Sequence, residues 1–131
     1  MDAPKSPPTA GYDAVAAAAV VLAALAQPGG AGLVVESLGR LPGAVATPAR
    51  GGRFRSSPAL VQLGQWRYEA RDQGLAVAHV VGGISLAHTA LPPAQAGAHV
   101  AGALGVFLHE QGVQALSDVL AVLEGLAVAA G

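Results

Sequence analysis

Thirteen consecutive positions, Ala14 to Ala26, are apolar, so the first helix-length stretch of this chain has no polar face. Asp13 stands directly before it as an N-cap whose carboxylate can accept from the free amides of a first turn. Pro28-Gly29-Gly30 stops the helix. A helix that is apolar all round must be enclosed by protein or lie against another subunit. The segment before it, Met1 to Gly11, holds Pro4, Pro7 and Pro8 and reads as a flexible or extended tail, leaving 12–131 as a single domain. Within Gly32 to Leu41, the positions Leu33, Val34, Ser37, Leu38 and Leu41 fit a helical stripe, whereas Leu33-Val34-Val35 alone fits a strand. The reading taken is a short helix closed by Pro42-Gly43. Ala44 to Thr47 fits a short strand, and Pro48 to Pro58 a loop rich in Gly, Ser and Arg.

The middle of the chain changes period. Trp66, Tyr68 and Ala70 alternate with Arg67, Glu69 and Arg71, the pattern of a half-buried strand. Leu60 to Leu63 extends this strand backward if Gly64 is a bulge. Leu75 to Val81 and Ile84 to Ala90 follow as two more strands joined by Gly82-Gly83, a pair suited to a tight hairpin because both glycines accept positive φ. With those two residues as the loop, Val81 faces Ile84, His79 faces Leu86 and Val77 faces His88. His79 and His88 then share a face as diagonal neighbours. The preceding turn at Asp72-Gln73-Gly74 sets a conflict. A three-residue loop would put Arg67, Glu69 and Arg71 on the apolar face. Burying three charges costs more than an imperfect turn, so Trp66 and Tyr68 are assigned to the core side.

Leu91-Pro92-Pro93 ends the sheet and opens a helix that runs to about Gln111 and stops at Gly112. Its apolar stripe is Val100, Ala103, Leu104, Phe107 and Leu108. Gly97, Ala101 and Gly105 make a second face with almost no bulk, against which another backbone can come close. The last helix, Val113 to about Ala130, carries Leu116, Leu120, Leu123 and Ala127, widened by Val119, Val122 and Leu126. That face exceeds the usual stripe and should touch more than one neighbour. The fold class predicted is α+β: an antiparallel β-meander of three or four strands, an N-terminal helix or helices, and two C-terminal helices packed on one sheet face.

Composition sharpens this picture in one respect. Only 15 of the 131 residues are charged, 11%, where soluble domains carry roughly 25%. The apolar share of 53% includes 30 Ala, so the excess is mainly methyl groups, cheap to expose. The Ala, Gly and Arg usage is also what high-GC bacterial genomes encode. The net charge of −1 gives no field to attract nucleic acid or an acidic membrane, and the absence of Cys removes disulfides, thiolates and Cys-based zinc sites. The run ending in Ala24-Leu25-Ala26 resembles a signal-peptidase site, but it is too short to span a bilayer and lacks a basic leader, so a retained helix and a cytoplasmic protein are expected.

Candidate chemistry is sparse. His79 and His88, with Trp66 and Tyr68 nearby, could form the polar end of a small apolar-ligand pocket or a simple acid–base site between sheet and helices. No third ligand completes a metal site there, and no cofactor motif occurs. His99 and His109 do not share a helix face well. Arg50, Arg53 and Arg55 surround Phe54 in a single arginine-glycine box that resembles those of RNA-binding tails; one copy supports at most anion binding, and no nucleic-acid partner is expected. The leading expectation is therefore a non-catalytic interaction or scaffolding module, or a small accessory subunit, that self-associates as a homodimer or binds a protein partner. Contacts are expected at Val21, Leu22, Leu25, Gly97, Ala101, Gly105, Val119, Val122 and Leu126, where low-charge helical faces would be buried.

Overall fold

The computed structural model describes residues 11–49, 51, 58–72 and 74–130. The elements run α1 (Ala14–Leu25), α2 (Gly30–Leu38), β1 (Val45–Thr47), β2 (Leu60–Leu63), β3 (Trp66–Arg71), β4 (Gly74–Val81), β5 (Ile84–Leu91), α3 (Pro93–Gln111) and α4 (Leu116–Ala130). A 3-10 turn over Val113–Ala115 leads into α4. The fold is α+β. The sheet has five antiparallel strands in the order β1-β2-β3-β4-β5, a simple meander. That is one strand more than the upper expectation. Leu60–Leu63 does not extend β3 backward; it folds onto it, pairing Val61 with Tyr68 and Leu63 with Trp66 around a turn at Gly64-Gln65.

Each helix forms for a local reason. The Asp13 carboxylate accepts from the amides of Val15 and Ala16 at 3.0 and 3.2 Å, capping α1 as its position implied. Tyr12, just outside the helix, donates its hydroxyl to the carbonyl of Ala101 at 2.5 Å and so fixes the start of α1 on α3. The apolar stripe of α2 wins over its strand-like Leu33-Val34-Val35, burying Ala31, Val34, Val35 and Leu38. Pro93 opens α3 in the first turn, where its missing amide costs nothing.

The helices α2 and α3 meet the sheet directly, while α1 and α4 pack on other helices. Helix α1 touches α3, α4 and α2, which bury its Ala17, Val21, Ala24 and Leu25 and leave Val15 and Leu22 exposed. The line Gly97, Ala101, Gly105 permits this. A Cβ built on Gly97 would stand 2.8 Å from the carbonyl oxygen of Ala18, so α1 and α3 approach at a distance only glycine allows. Val21, Leu25, Gly97, Ala101, Val119, Val122 and Leu126, expected at a contact with another subunit, are buried inside this one. Leu22 and Gly105 are only partly covered, and both lie at the α1–α3 contact. The wide face of α4 meets both α1 and α2, as its width required.

The core face of the sheet carries Val61, Leu63, Tyr68, Leu75 and Val77. Tyr68 is fully buried and Trp66 packs at the edge of the same cluster, which settles the register conflict as the cost of charge burial dictated. Arg71 pairs with Gly74, leaving a two-residue loop. The second hairpin departs from the expected ladder. Val81 pairs with Ile84 and His79 with Leu86, but Ala78 then pairs with His88 and Val77 with Thr89. Ala87 is the extra residue, at φ +46, a β-bulge.

Candidate functional site

The bulge moves His88 to the opposite sheet face from His79, so the expected histidine pair does not exist. One inserted residue reverses every side chain beyond it. His88 instead borders a shallow depression of about 180 Å³ on the outer face, floored by Ala76 and Ala78 and walled by Arg67 and Glu69. Its charged groups are already engaged. Arg67 reaches across β4 and donates to the hydroxyl of Ser85 on β5 at 2.7 Å, and Glu69 pairs with Arg71 at 3.0 Å. The long side chains of β3 thus roof the small residues of β4, which is why Ala76 and Ala78 are buried on a face without helices.

On the helix side, a different cluster forms around Trp66. His79 stacks on its ring at 4.7 Å with an interplanar angle of 29°. His99, from α3, meets it edge-on at 4.5 Å and 89°. The Tyr68 hydroxyl lies 2.7 Å from Nδ1 of His99, and Nε2 of His79 lies 3.0 Å from Oε1 of Gln65. Burial pushes the Tyr68 phenol well above its ordinary range and holds the His99 imidazole below its usual value. His99 is therefore neutral at pH 7. The Tyr68 hydroxyl also lies 3.5 Å from the His99 carbonyl, so it donates to Nδ1 or accepts from it according to the tautomer of the ring. A phenol raised so far is no acid near neutrality. The arrangement suits anchoring α3 to the sheet. A cavity beside Leu63, Trp66 and Phe107 holds only about 90 Å³.

His99 was the residue that sequence reasoning missed. It lies four residues before Ala103 and one before Val100, on the flank of the α3 stripe that turns toward Trp66. His109 is exposed near the end of α3. The anion-binding candidates Arg50, Arg53 and Arg55 lie outside the described residues. Among those described, no three His, Asp or Glu groups are placed to hold a metal ion.

A larger cavity lies elsewhere. A groove of about 660 Å³ runs between α2 and the β1–β2 edge of the sheet, lined by Leu33, Val35, Ala46 and Leu60 with Glu36, Arg40 and Thr47 among them. A second surface feature is electrostatic. From Gln73 to His109, 37 residues spanning β4, β5 and most of α3, the chain has no Asp, Glu, Lys or Arg. Within that span β5 forms a sheet edge whose residues are exposed or half-exposed throughout. On the hairpin end, Val81, Ile84 and Leu86 are 49%, 64% and 48% exposed. The register puts all three on the helix side, beyond the part of the sheet that α3 covers. The stretch Val113–Ala130 is long and apolar enough to cross a membrane by length and composition, and in this fold its Val119, Val122, Leu123 and Leu126 are buried against the other helices.

No curated protein and no solved structure matches this chain. A family model does match, over residues 9–128, nearly the whole length, and the chain accordingly belongs to the family described as Domain of unknown function (DUF5073).

Proposed function

We propose that the protein is a non-catalytic interaction module that self-associates as a homodimer by pairing β5 with β5 of a second copy. The observation that carries this reading is an eight-residue edge strand without a single charge. Sheet edges offer unpaired amides and carbonyls to any passing strand, and natural edges are blunted by Lys, by Pro or by brevity. The opposite edge follows that rule, since β1 has three residues. The β5 edge does not; its one protective feature is the Ala87 bulge. Antiparallel pairing about a two-fold axis uses the same strand of both copies, so it closes at two subunits. Pairing β5 with β1 would leave a free edge at each end and propagate. In the closed dimer, backbone hydrogen bonds supply the ladder and the hairpin residues Val81, Ile84 and Leu86 bury against the partner, with shape and register giving specificity in place of charge.

Light scattering coupled to gel filtration at low micromolar concentration tests this. The expected result is twice the monomer mass for the native chain. Leu86→Lys and Ile84→Lys, both at exposed positions, should give folded monomers, while Val128→Lys on α4, 76% exposed, should remain dimeric. A native chain that stays monomeric at tens of micromolar overturns the proposal.

A further inference from the structure

We infer that the two-fold axis of the dimer passes beside Thr89, with His88 and Ala90 of each copy exchanging the backbone hydrogen bonds that join the two sheets. This deepens the β5–β5 reading and rests on it, naming the half of the edge that the second copy occupies and the register it takes.

Residues along a strand turn their amide and carbonyl alternately to one neighbour and the other. The Val80 amide donates to the carbonyl of Gln65 at 2.7 Å, on the β3 side. In β4, Val80, Ala78 and Ala76 therefore serve β3, while Val81, His79, Val77 and Leu75 serve β5. The strand β5 follows from its pairing. Ile84, Leu86, Thr89 and Leu91 lie opposite the second set and direct their backbone groups to β4. Ser85, His88 and Ala90 lie opposite the first set and direct theirs to the open edge.

Only part of that edge has the spacing of a ladder, in which outward residues recur at every second position. Between Ser85 and His88 the Ala87 bulge breaks this period. Past Ala90 the next outward position is Pro92, which has no amide and whose carbonyl already accepts from Ala96 at 2.8 Å. Bulge and proline thus bracket one pairable segment, whose outward residues are His88 and Ala90. Residues His88, Thr89 and Ala90 are all exposed. Centred on Thr89, antiparallel self-pairing sets His88 of each copy against Ala90 of the other, and both residues bond. Centred on His88 or on Ala90, only the central residue meets an outward mate, and half the bonds are made. The same geometry lays the hairpin end of one copy beside the start of α3 in the other, which agrees with the burial proposed for Val81, Ile84 and Leu86.

Disulfide trapping in the full chain tests the register. The sequence has no cysteine, so each single replacement reports one position. Across the axis the two Thr89 would form a non-hydrogen-bonded pair with Cα atoms about 4.5 Å apart, within the roughly 4.4–6.8 Å that a disulfide spans. The two His88, and likewise the two Ala90, would be diagonal neighbours roughly 7–8 Å apart, beyond that reach. Under oxidised glutathione, Thr89→Cys should form a covalent dimer about tenfold faster than His88→Cys or Ala90→Cys. Ala90→Pro removes an outward amide that β4 does not use, so it should keep the native circular dichroism spectrum and weaken the dimer at least about tenfold. A native dimer in which His88→Cys or Ala90→Cys links fastest, or none links, overturns the register and leaves self-association standing. A folded Ala90→Pro chain that dimerises as tightly as the native one does the same. A native chain that is monomeric by light scattering overturns both.

Discussion

Tyr68 is the largest side chain sealed in the core, and its hydroxyl is satisfied by a residue 31 positions away, His99. Replacing Tyr68 with Phe keeps the ring but leaves Nδ1 of His99 without its hydrogen-bond partner. The expected loss is about 1 kcal/mol in urea unfolding, because an unmade hydrogen bond at a half-covered site costs near the lower end of its range. His99 also predicts a pH dependence. An unfolded histidine titrates near 6.5, and burial holds the folded His99 below that value. As pH falls, the unfolded chain binds the proton first. Stability from this group is complete above about 6.5 and declines as pH drops toward the lower folded value. Denaturation midpoints measured between pH 8 and pH 5 should show this decline, and it should be smaller in His99→Gln. The alternation of Trp66 and Tyr68 with charged residues made their burial legible in the sequence. Their partner was not, since a histidine on the flank of an apolar stripe turns toward sheet or solvent by a small rotation of the helix.

Among the elements, the α1–α3 contact depends on missing bulk. Gly97→Val would drive a branched side chain into the Ala18 carbonyl, 2.8 Å from the Cβ position, and should destabilise by about 1–3 kcal/mol in urea or thermal unfolding. Gly102 on the open side of α3 has nothing within 4 Å, so Gly102→Ala should stabilise by up to about 1 kcal/mol in the same measurement. The sequence already marked Gly97, Ala101 and Gly105 as a face for close approach. It did not say whose backbone approaches, because a neighbouring helix of the same chain and one from another subunit satisfy the same pattern. The Gly82-Gly83 turn was equally plain, with both residues at positive φ. The Ala87 bulge was hidden, since alanine carries no local signal for a left-handed backbone, and with it went the placement of His88.

At the scale of the whole molecule, the shortage of charge divides into two outcomes. Along α1 most of the exposed positions are alanine and Val21 and Leu25 are inside, while Val15 and Leu22 face outward. At the β4–β5 hairpin, larger aliphatics do face outward. If that surface joins two copies, association draws on apolar contact and backbone pairing. Raising salt from about 0.1 to about 1 M shortens the Debye length from about 10 to about 3 Å and should not weaken the dimer measured by sedimentation. The α+β class and the order of its elements could be read from periodicity and turn residues. The α2 groove could not, because concavity arises from elements brought together across the fold. The packing of α1 also bears on synthesis. Helix α1 leaves the ribosome before α3 and α4, which hold it through contacts such as Tyr12 with Ala101, 89 residues apart. A nascent chain ending before Pro93 has nothing to cover Val21 and Leu25 on their α3 and α4 sides. Until α3 and α4 emerge, such a chain carries an uncovered apolar helix, and it needs either a holding chaperone or a fast collapse once α4 is available.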